Sequence, residues 1–196
     1  MKITKSEQLL SYILKLYKHC SILYFSRLIY LVDYLSYEKL NKKVSGYDYR
    51  LYSFGPFSPE LIDSLENLVT KNIFKTNLNY TRTGLEHITY RFNDKYLEDD
   101  LKFKIEYMPD ISITEFYTAR DILCLFFYYT EKDVCRMVYN TKPVKWLCSK
   151  KPYPNNLGEK IKFNVYENDN KPPTYEAINY NNSASCGTPG KRSTSL

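Results

Sequence analysis

Apolar residues return at helical spacing from the start of the chain. Leu9, Leu10, Ile13, Leu14 and Tyr17 share one face behind Ser6-Glu7, which predicts a helix that breaks at His19-Cys20-Ser21. From Ser21 to Leu40 the stripe widens, with Ile22, Phe25, Ile29 and Val32 flanked by Leu28, Leu31 and Leu35. A stripe that wide packs on two sides, so this segment is expected to be the central helix of the core. Asn41-Lys42-Lys43 and Gly46 form a turn, Tyr47 to Phe54 reads as a short extended segment, and Gly55-Pro56 punctuates it.

The next helix has the strongest local start pattern. Ser58 is placed as N-cap, Pro59 as the first helical residue and Glu60 in the positive end of the dipole; Phe57 and Ile62 have the spacing of a hydrophobic staple. Leu61, Leu65, Leu68 and Val69 give it a buried face that ends near Lys71-Asn72. Residues 73–92 alternate loosely, Ile73, Phe74, Leu78 and Tyr80 and then Ile88, Tyr90 and Phe92. This predicts a β-hairpin with a polar tip at Thr81 to Gly84. Helical patterns return over Thr114 to Tyr129 and Glu131 to Asn140, ahead of Lys142-Pro143-Val144-Lys145-Trp146-Leu147. From Asn164 onward Asn, Pro, Ser, Gly and Thr dominate, with too little apolar surface to offset the entropy of ordering. The expectation is a mainly α fold with a small β-hairpin (α+β). One compact helical domain over 1–163 carries a winged-helix-like element, and a disordered C-terminal tail covers 164–196.

Composition changes this picture in two places. The 196 residues include 21 Tyr and 10 Phe. Tyr packs through its ring while keeping a polar tip, so the excess suits either a core or a contact surface. The net charge of +6 is unevenly spread. Residues 1–50 carry 9 Lys/Arg against 4 Asp/Glu and residues 131–163 carry 8 against 3, whereas residues 51–130 carry 8 against 12. Basic ends around an acidic middle make a polarised surface rather than a uniform polycation.

Candidate chemistry is sparse. The cysteines at 20, 124, 135, 148 and 186 are odd in number and form no CxxC pair, which points to free thiols in a reducing, cytoplasmic setting. No run of about 18 uncharged apolar residues predicts a membrane span. His19 and His87 lie in no nucleophile–base pattern, and with the scattered cysteines they offer no zinc spacing. Glu98-Asp99-Asp100 lacks the interleaved glycine and ligand periodicity of a cation loop, and the six glycines form no phosphate cradle. These patterns argue against an enzyme and call for no cofactor and no metal.

Four stretches carry a family likeness. They are Leu28-Ile29-Tyr30-Leu31-Val32-Asp33-Tyr34, Gly46-Tyr47-Asp48-Tyr49, Tyr52-Ser53-Phe54-Gly55-Pro56-Phe57-Ser58-Pro59-Glu60-Leu61, and Asp133 to Asn140 with Thr141-Lys142-Pro143 and Trp146. Together they resemble the Panacea domain family of SocA-like antitoxins and phage-associated proteins. The chain departs from it at Tyr139-Asn140, where the family often has a His. The resemblance implies a non-enzymatic module that neutralises or delivers a partner protein, typically a toxin encoded next to it, in a phage, viral or mobile-element toxin–antitoxin setting. It places the partner-binding face at Tyr52, Phe54, Gly55, Pro56, Phe57, Ser58, Glu60 and Trp146. Exposed aromatics there would give rigid contacts, although Tyr52, Phe54 and Trp146 equally suit the core beneath the turn.

The alternative is a winged-helix-like DNA-binding regulator in which the Ser58–Lys71 helix enters the groove. Its Glu60, Asp63 and Glu66 against Lys71 match phosphate poorly, while Lys42, Lys43, Arg50 and the Lys142–Lys162 stretch supply basic groups. In the tail, Pro172-Pro173-Thr174-Tyr175 has the form of a WW-domain ligand, with Pro172, Pro173 and Tyr175 as its contacts. Thr194-Ser195-Leu196 has that of a PDZ ligand. Both motifs are short enough to arise by chance.

Overall fold

Thr4 and Glu7 cap the first helix reciprocally. The Glu7 N–H donates to the Thr4 hydroxyl at 3.3 Å, and the Thr4 N–H donates to a Glu7 carboxylate oxygen at 2.8 Å. In the computed structural model, which describes residues 3–80, 84, 86–93 and 110–164, this cap opens α1 (Lys5–Tyr17). A two-residue strand, β1 (Cys20–Ser21), leads into α2 (Ile22–Leu40). A tight hairpin of β2 (Arg50–Tyr52) and β3 (Gly55–Phe57) precedes α3 (Glu60–Thr70). A longer hairpin of β4 (Phe74–Tyr80) and β5 (Glu86–Phe92) follows, and then α4 (Ile113–Phe126), α5 (Glu131–Asn140) and α6 (Lys142–Lys150). The tail from residue 165, its Pro172, Pro173, Tyr175 and C-terminal motifs, and the Glu98-Asp99-Asp100 cluster lie outside the described residues.

The wide stripe of α2 does what its width predicts. Every residue from Leu28 to Ser36 is buried, and the helix meets α1, α4, α5, β1, β3 and β5. Phe25 stacks on Phe74 at 6.3 Å, and Phe74 meets Phe92 edge-on at 5.3 Å, which anchors the base of the β4–β5 hairpin to the core. At the other end, the Thr141 hydroxyl donates to the Val138 carbonyl at 2.7 Å. Its proton being used there, it accepts from the buried Tyr30 hydroxyl at 2.8 Å. That pair fixes the α5–α6 corner to α2.

The three-stranded sheet has the order β1-β5-β4, with Cys20 opposite Tyr90 and Ser21 opposite Thr89. A short strand between the first two helices, paired with the second strand of a hairpin that follows the third helix, is the connectivity of a winged helix. The β2–β3 hairpin is inserted between the second and third helices.

Asp33 holds that insertion in place. Its carboxylate is fully buried and accepts from the Ser45 N–H at 2.7 Å, the Tyr49 hydroxyl at 2.8 Å and the Ser45 hydroxyl. Burial pushes the carboxyl above its usual range, and the three donors oppose that shift. The Tyr47 hydroxyl donates to Ser64 at 2.6 Å, tying the same segment to α3.

Local structure differs from the sequence expectation in four places. β1 is stabilised only by its pairing with β5, which no local pattern encodes. Lys142 to Lys150 forms a helix, with Pro143 in its first turn. α4 stops at Phe126 because Thr130 must adopt extended backbone to build a capping box with Asp133 at the start of α5. Ser58 is not the side-chain cap of α3. The helix begins at Glu60, with Pro59 as its N-cap rather than its first residue and already in helical backbone; the Leu61 and Ile62 N–H groups donate to the Ser58 and Pro59 carbonyls, and the buried Ser58 hydroxyl donates to the Glu60 carboxylate instead of capping.

Two outcomes are expected. Asp33→Ala leaves buried donors unpaired and should cost about 3 kcal/mol, whereas Tyr49→Phe removes one donor, keeps the ring and should cost about 1 kcal/mol; urea midpoints measure both. Glu115 caps α4 and pairs with Lys5 at 2.7 Å and Lys42 at 2.8 Å. Burial alone would raise this carboxyl, but the two ammonium groups and the Ser112 donors outweigh it and hold it at about 2, below its ordinary 4.5. A depressed folded value adds stability above the unfolded value, lost as pH falls from 4.5 toward 2. Glu115→Gln should therefore be less stable than the wild type at pH 6, and the two should converge near pH 2.

Candidate functional site

The Gly-Pro motif lies within the β2–β3 hairpin. Arg50 pairs with Phe57, Leu51 with Pro56 and Tyr52 with Gly55, so Ser53-Phe54 is the turn. Gly55 has φ +114°, a conformation that only glycine adopts without strain. Pro56 lacks an N–H to donate, which suits its place on the outer strand, and its carbonyl accepts from the buried Ser26 hydroxyl of α2 at 2.7 Å. On the other edge, β2 is bonded to the 158–161 segment: Leu51 donates to Glu159 at 2.9 Å and accepts from Gly158 at 2.7 Å.

Three aromatics gather on this rigid frame. Tyr52 and Phe54 stack at 5.5 Å with ring planes 2° apart. Phe57 meets them edge-on at 6.0 and 5.5 Å. Phe57 faces the core, Tyr52 is half-buried and Phe54 is 38 % exposed, so the trio grades from core to surface. From α5, the Tyr139 hydroxyl donates to the Ser53 carbonyl at 3.3 Å and its ring lies over Gly55. Arg27 of α2 pairs with Glu131 of α5 at 2.7 Å.

Of the residues expected at the site, Tyr52, Phe54, Gly55, Pro56 and Phe57 are brought together here, and Ser58 and Glu60 adjoin them through their mutual hydrogen bond. Trp146 stands apart. It is 40 % exposed on α6 and makes no ring contact with the trio among the described residues. Tyr139 and Ser26 were not foreseen. A lone serine inside the apolar stripe of α2 is the sequence trace of Ser26, and Tyr139-Asn140 is where the chain departs from its likeness.

Among the described residues no three His, Cys, Asp or Glu side chains converge on a metal site. A shallow depression of about 190 Å³ beside Tyr37, Asp48 and Phe163 is smaller than the ~300–1,000 Å³ of ligand pockets, and its carboxylate, Asp48, is already paired with Lys43 and Lys160. No described helix is long and apolar enough to cross a membrane.

The sequence model of the family described as antitoxin SocA-like, Panacea domain, matches residues 26–146. The chain belongs to this family. The match opens at Ser26, the residue that grips Pro56, and closes at Trp146. It thus takes in α2, both hairpins and α3 to α5 while leaving out α1. No curated protein and no solved structure matches the chain.

Gly55→Ala should cost about 1–3 kcal/mol from backbone strain alone, since the added methyl would meet Tyr139 no closer than 3.8 Å. Phe54→Ala, at a partly exposed turn, gives up two ring contacts and keeps the backbone unstrained, and should cost no more than about 1 kcal/mol. Thermal unfolding of the two variants separates the architectural residue from the surface one.

Proposed function

We propose that this chain is a non-enzymatic, antitoxin-type binding module that holds a partner protein, in the first instance a toxin encoded beside it, in a stoichiometric complex. Membership of the SocA-like family supports a protein partner. The observation that carries the reading is the stacked Tyr52–Phe54 pair on a hairpin pinned from α2 and α5. Rigid, partly exposed aromatics lose little entropy when covered, which is the behaviour of interface anchors. Phage, viral or mobile-element origin and an intracellular location fit such a role.

The DNA-regulator reading draws support from the winged-helix connectivity alone. The outward residues of α3 are acidic, and DNA binding is dominated by phosphate contacts.

Co-expression with the product of the adjacent open reading frame should give a complex of fixed ratio on size exclusion. Phe54→Ala should weaken it at least tenfold by calorimetry, and deletion of residues 165–196 should leave it intact. Duplex DNA should not be retained in a gel shift at 50 or 200 mM salt. Salt-sensitive DNA retention with no protein complex would establish the regulator instead.

A further inference from the structure

We propose that the outer face of α3, together with the apolar side of the β4–β5 hairpin beside it, receives the partner, and that the partner presents there a positively charged protein surface with an apolar anchor. This rests on the protein-binding reading above and adds to it the docking surface and the chemistry of what docks.

The first ground is where unpaired charge lies. Among the described carboxylates, Glu7 is paired by Lys71, Asp48 by Lys43 and Lys160, Glu115 by Lys5 and Lys42, Asp121 by Arg120, Glu131 by Arg27, Asp133 by Arg136 and Glu159 by Lys151, while Asp33, Glu38 and Asp110 are met by the side chains of Tyr49, Tyr34 and Gln8. Glu60, Asp63, Glu66 and Glu86 have no ion pair among the described residues, and Glu60 is met only by the Ser58 hydroxyl. All four belong to α3 or β5. Glu60, Asp63 and Glu66 follow one another at three-residue spacing, about 9 Å from first to last along the axis. The helix dipole favours Glu60 and Asp63 in the first turn, but like charges at that spacing still repel one another and no cation on α3 relieves that repulsion. A cationic partner would.

The second ground is apolar. Ile62, between the first two carboxylates, is 38 % exposed. On the hairpin, Phe74, Leu78, Ile88, Tyr90 and Phe92 fall on one face. At its base Phe74 and Phe92 are buried against α2, but farther out Leu78 and Ile88, directly opposite each other, are 54 % and 49 % exposed. The face therefore starts as core and continues into solvent.

The two grounds meet at Tyr90. The helix α3 runs into β4 and packs against it, and β4 sets Thr76 opposite Tyr90; burial and then the Glu66 carboxylate hold the Tyr90 hydroxyl above the ordinary range. Carboxylates and aliphatic side chains are thus exposed on two elements packed against each other. In a winged helix this is the surface that reads nucleic acid, and here its charge has the sign that repels phosphate and attracts Lys and Arg.

The test measures affinity for the adjacent gene product by calorimetry at 50 and 300 mM salt. It uses the full chain, the Glu60→Lys/Asp63→Lys/Glu66→Lys triple, the neutral Asp63→Asn/Glu66→Gln double, Leu78→Ser/Ile88→Ser, and an Asp121→Lys control on α4. The surface predicts wild-type binding that weakens with salt. It also predicts a loss of at least a hundredfold in the triple, at least fivefold in the neutral double and at least tenfold in the apolar double, with the control unchanged. Wild-type affinity in a triple and an apolar double that melt like the parent overturns the surface and leaves the protein-binding reading standing. No binding by the wild type overturns both.

Discussion

The carboxylate of Asp33 is sealed inside the protein midway along α2, and three donors from Ser45 and Tyr49 converge on it. Burying a carboxylate costs several kcal/mol unless its lone pairs are filled, so α2 tolerates Asp33 only while residues 45–49 are held against it. That requirement sets the path of the chain after α2. Tyr49 is packed among Tyr30, Tyr47 and Phe163, and the strand that follows is delivered to the 158–161 segment. The Gly55-Pro56 hairpin and the start of α3 inherit their positions from it. The resemblance residues Asp33 and Tyr49, with Ser45, form one polar staple between a buried helix and an inserted hairpin, and Tyr47 ties the same segment to α3 through Ser64.

Around that staple the fold separates architecture from use. The helix and strand order is that of a nucleic-acid-reading scaffold, yet the groups it displays on its reading helix are carboxylates and an isoleucine. Fold order alone says nothing of what a surface binds; the displayed side chains do. The basic groups are elsewhere, and several are held in ion pairs, as with Lys42 on Glu115, Lys43 and Lys160 on Asp48, and Arg27 on Glu131. The net positive charge of the chain is therefore a poor guide to its partner.

How much of this was legible in the residues depended on how local the cause was. α1, α2 and the β4–β5 hairpin follow from 3.6- and 2-residue periodicity, because the face that packs is written within each segment. β1 was not legible, since two residues gain strand structure only from a partner seventy positions away. Ser58 misled for a physical reason: its type and place fit an N-cap, but the chain is already helical at Pro59, so the first free N–H groups of α3 go to the Ser58 and Pro59 carbonyls and not to the Ser58 hydroxyl. Of the site, the contiguous part from Tyr52 to Glu60 was readable as one motif. Tyr139 was not, because its lying over Gly55 is a contact between distant segments, and Trp146 shares a sequence neighbourhood with the site without joining its aromatic cluster.

One geometric feature bears on the partner independently of charge. A helix-turn-helix joins its two helices by a turn of about 3–4 residues, and the first residues of the second helix then reach the base edges. Here the connection over 41–59 carries its own hairpin, which ends at Phe57 with only Ser58 and Pro59 before α3, and whose turn residue Phe54 meets the Phe57 ring. The chain leading into α3 thus carries a partly exposed aromatic turn, braced from α2 by Ser26 and from α5 by Tyr139. A groove floor of stacked bases offers no cavity for such a turn, whereas a protein surface readily offers an apolar pocket between cationic side chains. The insertion and the acidic stripe arise from different residues and different forces, and both favour the same kind of partner.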